Sequence, residues 1–341
     1  MLNRAYCTYF DHNYLPRGLA LYHSLQQHAP GARLWVLCLS EACYRTLVAL
    51  DLPNLIPQRL VDFEVADPDV AATRPTRSLI EYYFTVSPAW ILFVLNNEPE
   101  AEWVTYLDSD LFFFASPDPI YRQMKDSSFG IIPHRFARGL EDQLRFGIYN
   151  VGWVSVRRSD EGITALRWWR ERCIEWCYDR VEGDRFADQR YLDRLPELFT
   201  GVHVIEHLGA NLAPWNFADF RIEWRNGAVA VEEQYPLLFF HFYGVKRAGG
   251  YYFNSHRLYS APFSSLMKHR IYEPYAAALA KSELMVASHL KEQQIDTIRK
   301  PVVTGPRDRV TNVLRRVRIL VNRGLDIITG RAIAVRNISV R

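Results

Sequence analysis

Two carboxylates, Asp108 and Asp110, lie one residue apart in the run WVTYLDSDLFFF (103–114), which is otherwise apolar and strand-forming. Burying a charge costs on the order of several kcal/mol unless it is paired or meets a metal. The pair is therefore either an ordinary Asp-Ser-Asp turn at a strand end or a metal site. Where a chain leaves a strand, acids at i and i+2 can both turn toward the crevice at the sheet edge, where open α/β sheets bind ligands. Hard oxygen donors suit Mg²⁺ or Mn²⁺. Such an ion would stabilise the charge of a departing diphosphate. A second apolar run, LLFFHFYGVKRAG (237–249), again ends in polar groups: His241, 131 residues beyond Asp110, and then Lys246. An imidazole shifts the preference toward Mn²⁺. A lysine beside a metal-bound diphosphate neutralises the charge that is left.

These residues need elements to hold them. AYCTYF (5–10) reads as a strand, LPRGLALYHSLQQHA as a helix with Pro16 at its start, and RLWVLCLS (33–40) as an almost wholly apolar strand. A second helix, EACYRTLVALDL, leads to a third strand at LIPQRLVDF. Residues 77–97 form a long apolar helical region that Pro88 is expected to kink or divide. Then comes the acid-bearing strand. FGIIPH, GWVSVRR, VHVIEH and LLFFHFYG read as later strands, and GITALRWWRERCIEWCYDRV as an amphipathic helix. The alternation argues an α/β fold with a mostly parallel sheet.

With 341 residues and 49% hydrophobic content, the chain can bury a full core. The five cysteines form no CxxC, and Cys173 and Cys177 lack a matching second pair, so a zinc site is not expected. Reduced, buried thiols fit a cytoplasmic protein. The N-terminus does not read as a signal peptide, and no apolar window reaches spanning length. The net charge of +3 conceals an asymmetry: ten basic and two acidic residues over 300–341 leave +8 there and −5 elsewhere. In that tail Val313, Leu314, Val317, Leu320 and Val321 share a helical face largely ringed by Arg315, Arg316, Arg318 and Arg323. The pattern suits a helix resting on an anionic membrane, at the inner face of the cell membrane, or a packed terminal helix with a solvated basic side. Nucleic acid is not an expected partner, because the basic residues are confined to the tail and no binding motif accompanies them.

Taken in order, the motifs resemble the GT-A glycosyltransferases, and among them the family 8-like retaining enzymes that use nucleotide-sugar donors. TYFDHNYL (8–15) looks like the nucleobase-holding segment and TYLDSDLFFF like the DxD strand. YNVGWVSV (149–156) looks like the Asn-x-Gly segment, FADQRYLD (186–193) like the Asp-Gln motif, and NLAPWN (211–216) like the acceptor-side segment. HFYGVK (241–246) looks like the terminal metal-and-phosphate motif. The resemblance covers about residues 5–250 and implies a GT-A, Rossmann-like mixed and mostly parallel central sheet flanked by helices. It implies a catalytic domain over 1–260, a helical extension over 261–299 and the basic amphipathic tail over 300–341.

The resemblance also assigns roles. Asp108, Asp110 and His241 would bind Mn²⁺ or Mg²⁺, and Lys246 the diphosphate. Asp11 and Tyr14 would meet the base and ribose of the donor, which the resemblance implies is a UDP-sugar. Asn150, Asp188 and Gln189 would face the sugar near its anomeric carbon. The basic residue that the family places on the helix before the DxD strand has no clear counterpart here. Arg77 is one choice, with Glu81, Tyr82 and Thr85 equally placed. Trp215 is the candidate for stacking on a sugar, His134 for lining the acceptor side, and Trp168, Trp169 and Trp176 for core. The implied reaction moves a sugar to a hydroxyl of a saccharide or lipid-linked acceptor with retention. A non-catalytic glycan-binding scaffold at the membrane is the alternative. A phosphatase of the haloacid dehalogenase type fits poorly, since its acid pair normally sits in the first strand.

Overall fold

The computed structural model describes residues 3–291 and 318–335. Its strands are β1 (Arg4–Phe10), β2 (Arg33–Cys38), β3 (Leu55–Arg59), β4 (Trp103–Leu107), β5 (Leu111–Phe113), β6 (Phe129–Pro133), β7 (Tyr149–Arg157) and β8 (Val202–Val204). They continue with β9 (Ile222–Arg225), β10 (Ala228–Val231), β11 (Tyr235–Pro236), β12 (Phe239–His241), β13 (Lys246–Ala248), β14 (Tyr251–Phe253) and β15 (Ile333–Ala334). The helices are α1 (Leu15–His28), α2 (Glu41–Leu50), α3 (Leu60–Ala66), α4 (Pro68–Ala71), α5 (Leu79–Asn97), α6 (Asp118–Gln123), α7 (Asp160–Glu175), α8 (Leu195–Leu198) and α9 (Glu273–Lys291).

The central sheet has seven strands in the order β3-β2-β1-β4-β7-β6-β8. Only β7 runs against its neighbours, pairing antiparallel with β4 and β6, while the other pairings are parallel. This is the mixed, mostly parallel central sheet expected from the sequence. The near-continuous apolar runs of β1, β2 and β4 follow from burial on both faces. One face is covered by α5 and α7, which contribute Trp90, Val94, Leu166 and Trp169 to the core. The other is covered by α1 and α2, through Leu19, Leu25, Cys43 and Leu47. Beyond it, α9 packs along α1.

Local sequence explains most boundaries. Ser78 and Glu81 form a reciprocal capping box at the start of α5. Ser40 caps α2, whose end is turned by Asp51 in the left-handed region. Pro88 does not divide α5, which runs unbroken from Leu79 to Asn97. The helix continues through it because ten of its nineteen residues are buried, and Trp90 Nε1 donates to the Thr8 carbonyl at 3.0 Å. Burial on that scale outweighs the roughly 3 kcal/mol that an internal proline costs. The helix is long and apolar enough to cross a membrane, yet 56% of its apolar window is buried and it serves as a core helix.

Three further expectations shift. The third strand stops at Arg59, and Leu60–Ala66 turn helical. The amphipathic helix ends at Glu175 rather than near Val181. The strand read from GWVSVRR begins earlier, at Tyr149, so Asn150 lies inside β7. Trp169 and Trp176 are core residues and Trp168 packs against them. The cysteines are all buried and unbridged.

At the C-terminal side, β12 pairs antiparallel with β5, setting His241 opposite Leu111. A helix over 318–328 precedes β15, which pairs with β14. Arg257 holds this segment through Asp326 at 2.5 Å. Leu320 and Val321 of the expected apolar face are exposed, as is Ile328. Val313, Leu314 and Val317 lie outside the described residues, as do Arg315 and Arg316.

Candidate active site

Asp108 and Asp110 occupy the tight turn between β4 and β5. The turn is pinned by three backbone bonds: Asp108 N to the Gly152 carbonyl at 3.1 Å, Leu111 N to the Asp108 carbonyl at 3.1 Å, and Phe242 N to the Asp110 carbonyl at 2.9 Å. The last two join the acid turn to β5 and to the segment after His241. His241 Nε2 lies 3.0 Å from Asp110 Oδ1 and 3.6 Å from Asp108 Oδ2. One donor atom from each residue falls within 4.8 Å of the others. The imidazole is buried, whereas the Asp108 and Asp110 side chains stay 31% and 16% exposed. Two carboxylates and one nitrogen, open on one side, fit Mn²⁺ or Mg²⁺ with room for further oxygen ligands.

The charges in this cluster depend on one another. Burial pushes both carboxyls up. For Asp108 burial wins, and the neighbouring Asp110 adds to it. For Asp110 the charge and hydrogen bond of His241, with Arg17 further off, win and hold the carboxyl down. Burial pulls the His241 imidazole down, but Asp110 and Asp108 more than restore it. Tyr106 donates its hydroxyl to Asp108 Oδ1 at 2.9 Å, fixing that carboxylate's rotamer.

Beside the cluster lies a pocket of amides. Asn150 Nδ2 is 3.2 Å from His134 Nε2 and donates to Gln189 Oε1 at 3.5 Å. Its Oδ1 accepts from the Gly152 amide at 3.1 Å. Gln189 Nε2 donates to the Phe146 carbonyl at 2.9 Å. His134 Nδ1 meets the Ile148 carbonyl at 3.2 Å, so Nδ1 carries the proton and Nε2 accepts. Burial pushes the His134 imidazole down to about 3, leaving it neutral.

Asp188 is buried next to Gln189. Its carboxyl is raised to about 7, chiefly by burial and further by the charge of Asp108, against a bond from Ser87. Trp169 Nε1 holds the Asp188 carbonyl at 2.8 Å. The preceding Ala187 has φ +47°, a left-handed conformation uncommon outside glycine. Asp188 caps no helix: the short 3₁₀ turn Arg190–Arg194 has Gln189 at its cap position.

Gly152 ties the two groups together. A Cβ there would lie 2.4 Å from Asn150 Oδ1 and 3.0 Å from the His241 ring, so only glycine lets both side chains approach. This is the physical content of the Asn-x-Gly spacing.

A cavity of about 270 Å³ opens in front of the acid turn, lined by Asp11, Tyr14, Tyr83, Tyr106, Asp108 and Asp110 among others. Asp11 uses Oδ1 to accept from the Asn13 and Tyr14 amides at 2.9 and 3.2 Å, so it shapes the turn it would bind from. Tyr14 is 45% exposed at the rim. Lys246 is exposed in β13, after a turn in which Gly244 takes φ +75°.

Two residues are engaged away from the cavity. Arg77 donates to the Tyr178 hydroxyl at 2.5 Å and the Ile174 carbonyl at 3.1 Å, and its guanidinium lies over the Tyr178 ring. Trp215 is buried edge-on against His241 at 5.0 Å, with its Nε1 on the His134 carbonyl. It backs His241 rather than offering a face to a sugar. The sequence reading did not single out Tyr106, Ser87 or Arg17. The alternation in WVTYLD puts Tyr106 and Asp108 on one side of the chain, a usable signal for the first. Ser87 and Arg17 carry none, since their roles depend on neighbours distant in the chain.

No family model matches the chain. It is 35% identical over 254 residues to the uncharacterized protein YfnF of Bacillus subtilis (strain 168), a match spanning 72% of this chain and 82% of YfnF. It is 30% identical over 279 residues to the uncharacterized YfnD of the same organism, spanning 81% of this chain and 88% of YfnD. The chain belongs to the family of YfnF and YfnD. Solved structures similar to this YfnF–YfnD family member include the galactosyltransferase LgtC in complex with donor and acceptor sugar analogs, at TM-score 0.46 and 20% identity, covering 70% of this chain and 87% of LgtC. The bifunctional glycosyltransferase WbbM matches at TM-score 0.49 and 14% identity, covering 86% of this chain and 52% of WbbM. Mouse xyloside xylosyltransferase 1 matches at 0.46 and 14%, covering 71% of this chain and 98% of the mouse protein.

Proposed function

We propose that the protein is a metal-dependent glycosyltransferase that moves a sugar from a nucleoside diphosphate donor, a UDP-sugar in the first instance, to a hydroxyl of a saccharide or lipid-linked acceptor with retention. The observation that carries this reading is the convergence of Asp108, Asp110 and His241 at a cavity mouth, flanked by an uncharged pocket of amides. A divalent ion held by these three side chains supplies positive charge to the departing diphosphate. Lys246 adds a mobile cation to the same group. Asp11 and Tyr14 bind the base and ribose end. Asn150 and Gln189 read sugar hydroxyls and leave partial negative charge near the anomeric carbon. Asp188, half-protonated near neutral pH, donates a hydrogen bond in its acid form and gives up charge stabilisation to keep it. It is a weak nucleophile in that form.

A scaffold role is less well supported, because a non-catalytic frame has no need of the complete acid–imidazole cluster. The buried thiols favour a reducing, cytoplasmic site of action. Exposed Leu320, Val321 and Ile328 favour peripheral contact of the C-terminal segment with an anionic membrane face. Co-sedimentation with phosphatidylglycerol vesicles tests that contact, and binding equal to that with neutral vesicles would remove it.

The deciding experiment is a screen of nucleotide-sugar hydrolysis with Mn²⁺ and no acceptor, comparing wild type with Asp110→Ala. Release of nucleoside diphosphate by wild type alone is expected. Equal release by the variant breaks the metal assignment. The absence of both turnover and a thermal shift with every nucleotide sugar would move the protein to the scaffold reading.

A further inference from the structure

Arg17 sits in the first turn of α1, partly buried, on the rim of the candidate site. Its Nη2 donates to the Val245 carbonyl at 2.6 Å, and the guanidinium lies 4.5 Å from the centre of the Tyr14 ring. The first contact fixes it beside the residue that precedes Lys246. The second fixes it against a wall of the cavity. Its positive charge reaches Asp110 and helps hold that carboxyl down.

What distinguishes Arg17 is what it lacks. Among the described residues no carboxylate stands within ion-pair distance of it, whereas Arg74 has Glu64 and Arg170 has Asp67 and Asp69. Four of its five N–H groups are uncommitted in the contacts of the described chain. A partly buried guanidinium without a counter-ion is an unfavourable arrangement unless an anion completes it. The planar fork of arginine suits phosphate oxygens in pairs, which a lysine ammonium cannot match.

We propose that Arg17 is a second phosphate-binding cation of the donor site, taking oxygens of a nucleoside diphosphate together with Lys246. The proposal rests on the nucleotide-sugar reading above. It makes the diphosphate subsite a product of two segments more than 220 residues apart, the start of α1 and the strand end that carries Val245 and Lys246. Arg77, by contrast, is committed to Tyr178 and Ile174.

Arg17→Gln removes the charge together with the Nη2 contact to the Val245 carbonyl, and comparing diphosphate with nucleoside binding separates the two roles open to this side chain. Calorimetric titration of the full chain with UDP, GDP, ADP, CDP and dTDP in Mn²⁺ supplies the readout. For whichever diphosphate the wild type binds, Arg17→Gln is expected to weaken affinity by about tenfold or more, with Arg17→Lys in between. Affinity for the matching nucleoside, followed by ligand-observed NMR, should stay within about twofold, as should Mn²⁺ affinity without nucleotide. Diphosphate binding by Arg17→Gln equal to wild type would overturn the proposal. So would an equal loss for diphosphate and nucleoside, which would make Arg17 a tether only. A wild-type chain that binds none of the five diphosphates overturns the nucleotide-sugar reading itself, and this proposal with it.

Discussion

On one wall of the cleft, Asp108, Asp110 and His241 bring three ionisable groups within 4.8 Å of one another. On the wall beside it, His134, Asn150 and Gln189 pass hydrogen bonds along a chain that carries no charge. Both walls hang on the same pair of strands, β4 and β7, and Gly152 touches both. The difference lies in what completes each. In the charged cluster the acids keep some exposure, which leaves room for the ion and diphosphate of the proposed function. Where a neutral sugar would lie, burial removes the charges instead: the imidazole of His134 is pushed down, and the carboxyl of Asp188 is pushed up to about 7.

The comparison can be broken, beginning with its charged half. Asp110→Ala should lower Mn²⁺-dependent donor hydrolysis by about a hundredfold or more, measured as initial rate at the Mn²⁺ concentration that saturates wild type. A loss that excess Mn²⁺ restores in full would show that Asp110 contributes affinity alone.

Asp188 tests the uncharged half through stability. Its folded carboxyl titrates above the usual range, so folding favours the protonated form. That contribution is complete below the ordinary carboxyl range and is lost as pH rises through about 7. Asp188→Asn should therefore stabilise the metal-free chain by on the order of 2 kcal/mol at pH 8 and hardly at all at pH 4, by urea unfolding. It should also lower activity, as expected where a site keeps a group at the expense of stability.

Gly152→Ala acts on both halves at once. The added methyl collides with Asn150 and crowds His241, at a cost of about 1–3 kcal/mol in stability. Mn²⁺ affinity and turnover should fall together. A fall in one alone would show that the two walls move independently. The smallest effect is expected from His134→Leu, which leaves the Asn150 amide short of one acceptor at about 1 kcal/mol. Its kcat should fall while Mn²⁺ affinity stays level.

Much of this was legible in the chain itself. Strand–helix alternation gives the fold class, because apolar period and turn chemistry are local properties. Asp-x-Asp at a strand end and His241 after another apolar run announce themselves by the oddity of charge beside strand residues. The structure brings those three together as the sequence suggested. Partnership and burial were not legible. The pairing of β5 with β12 is what sets His241 opposite Leu111. Long-range packing carries Pro88 through α5, turns Trp215 behind His241, and gives Arg77 to Tyr178. It also places Arg17 beside Val245 with no carboxylate among the described residues within ion-pair distance. The sequence by itself determined which residues are capable of the chemistry. Only the tertiary structure decided which of them share a dielectric and a distance, because desolvation and charge coupling depend on neighbours that are remote in the chain.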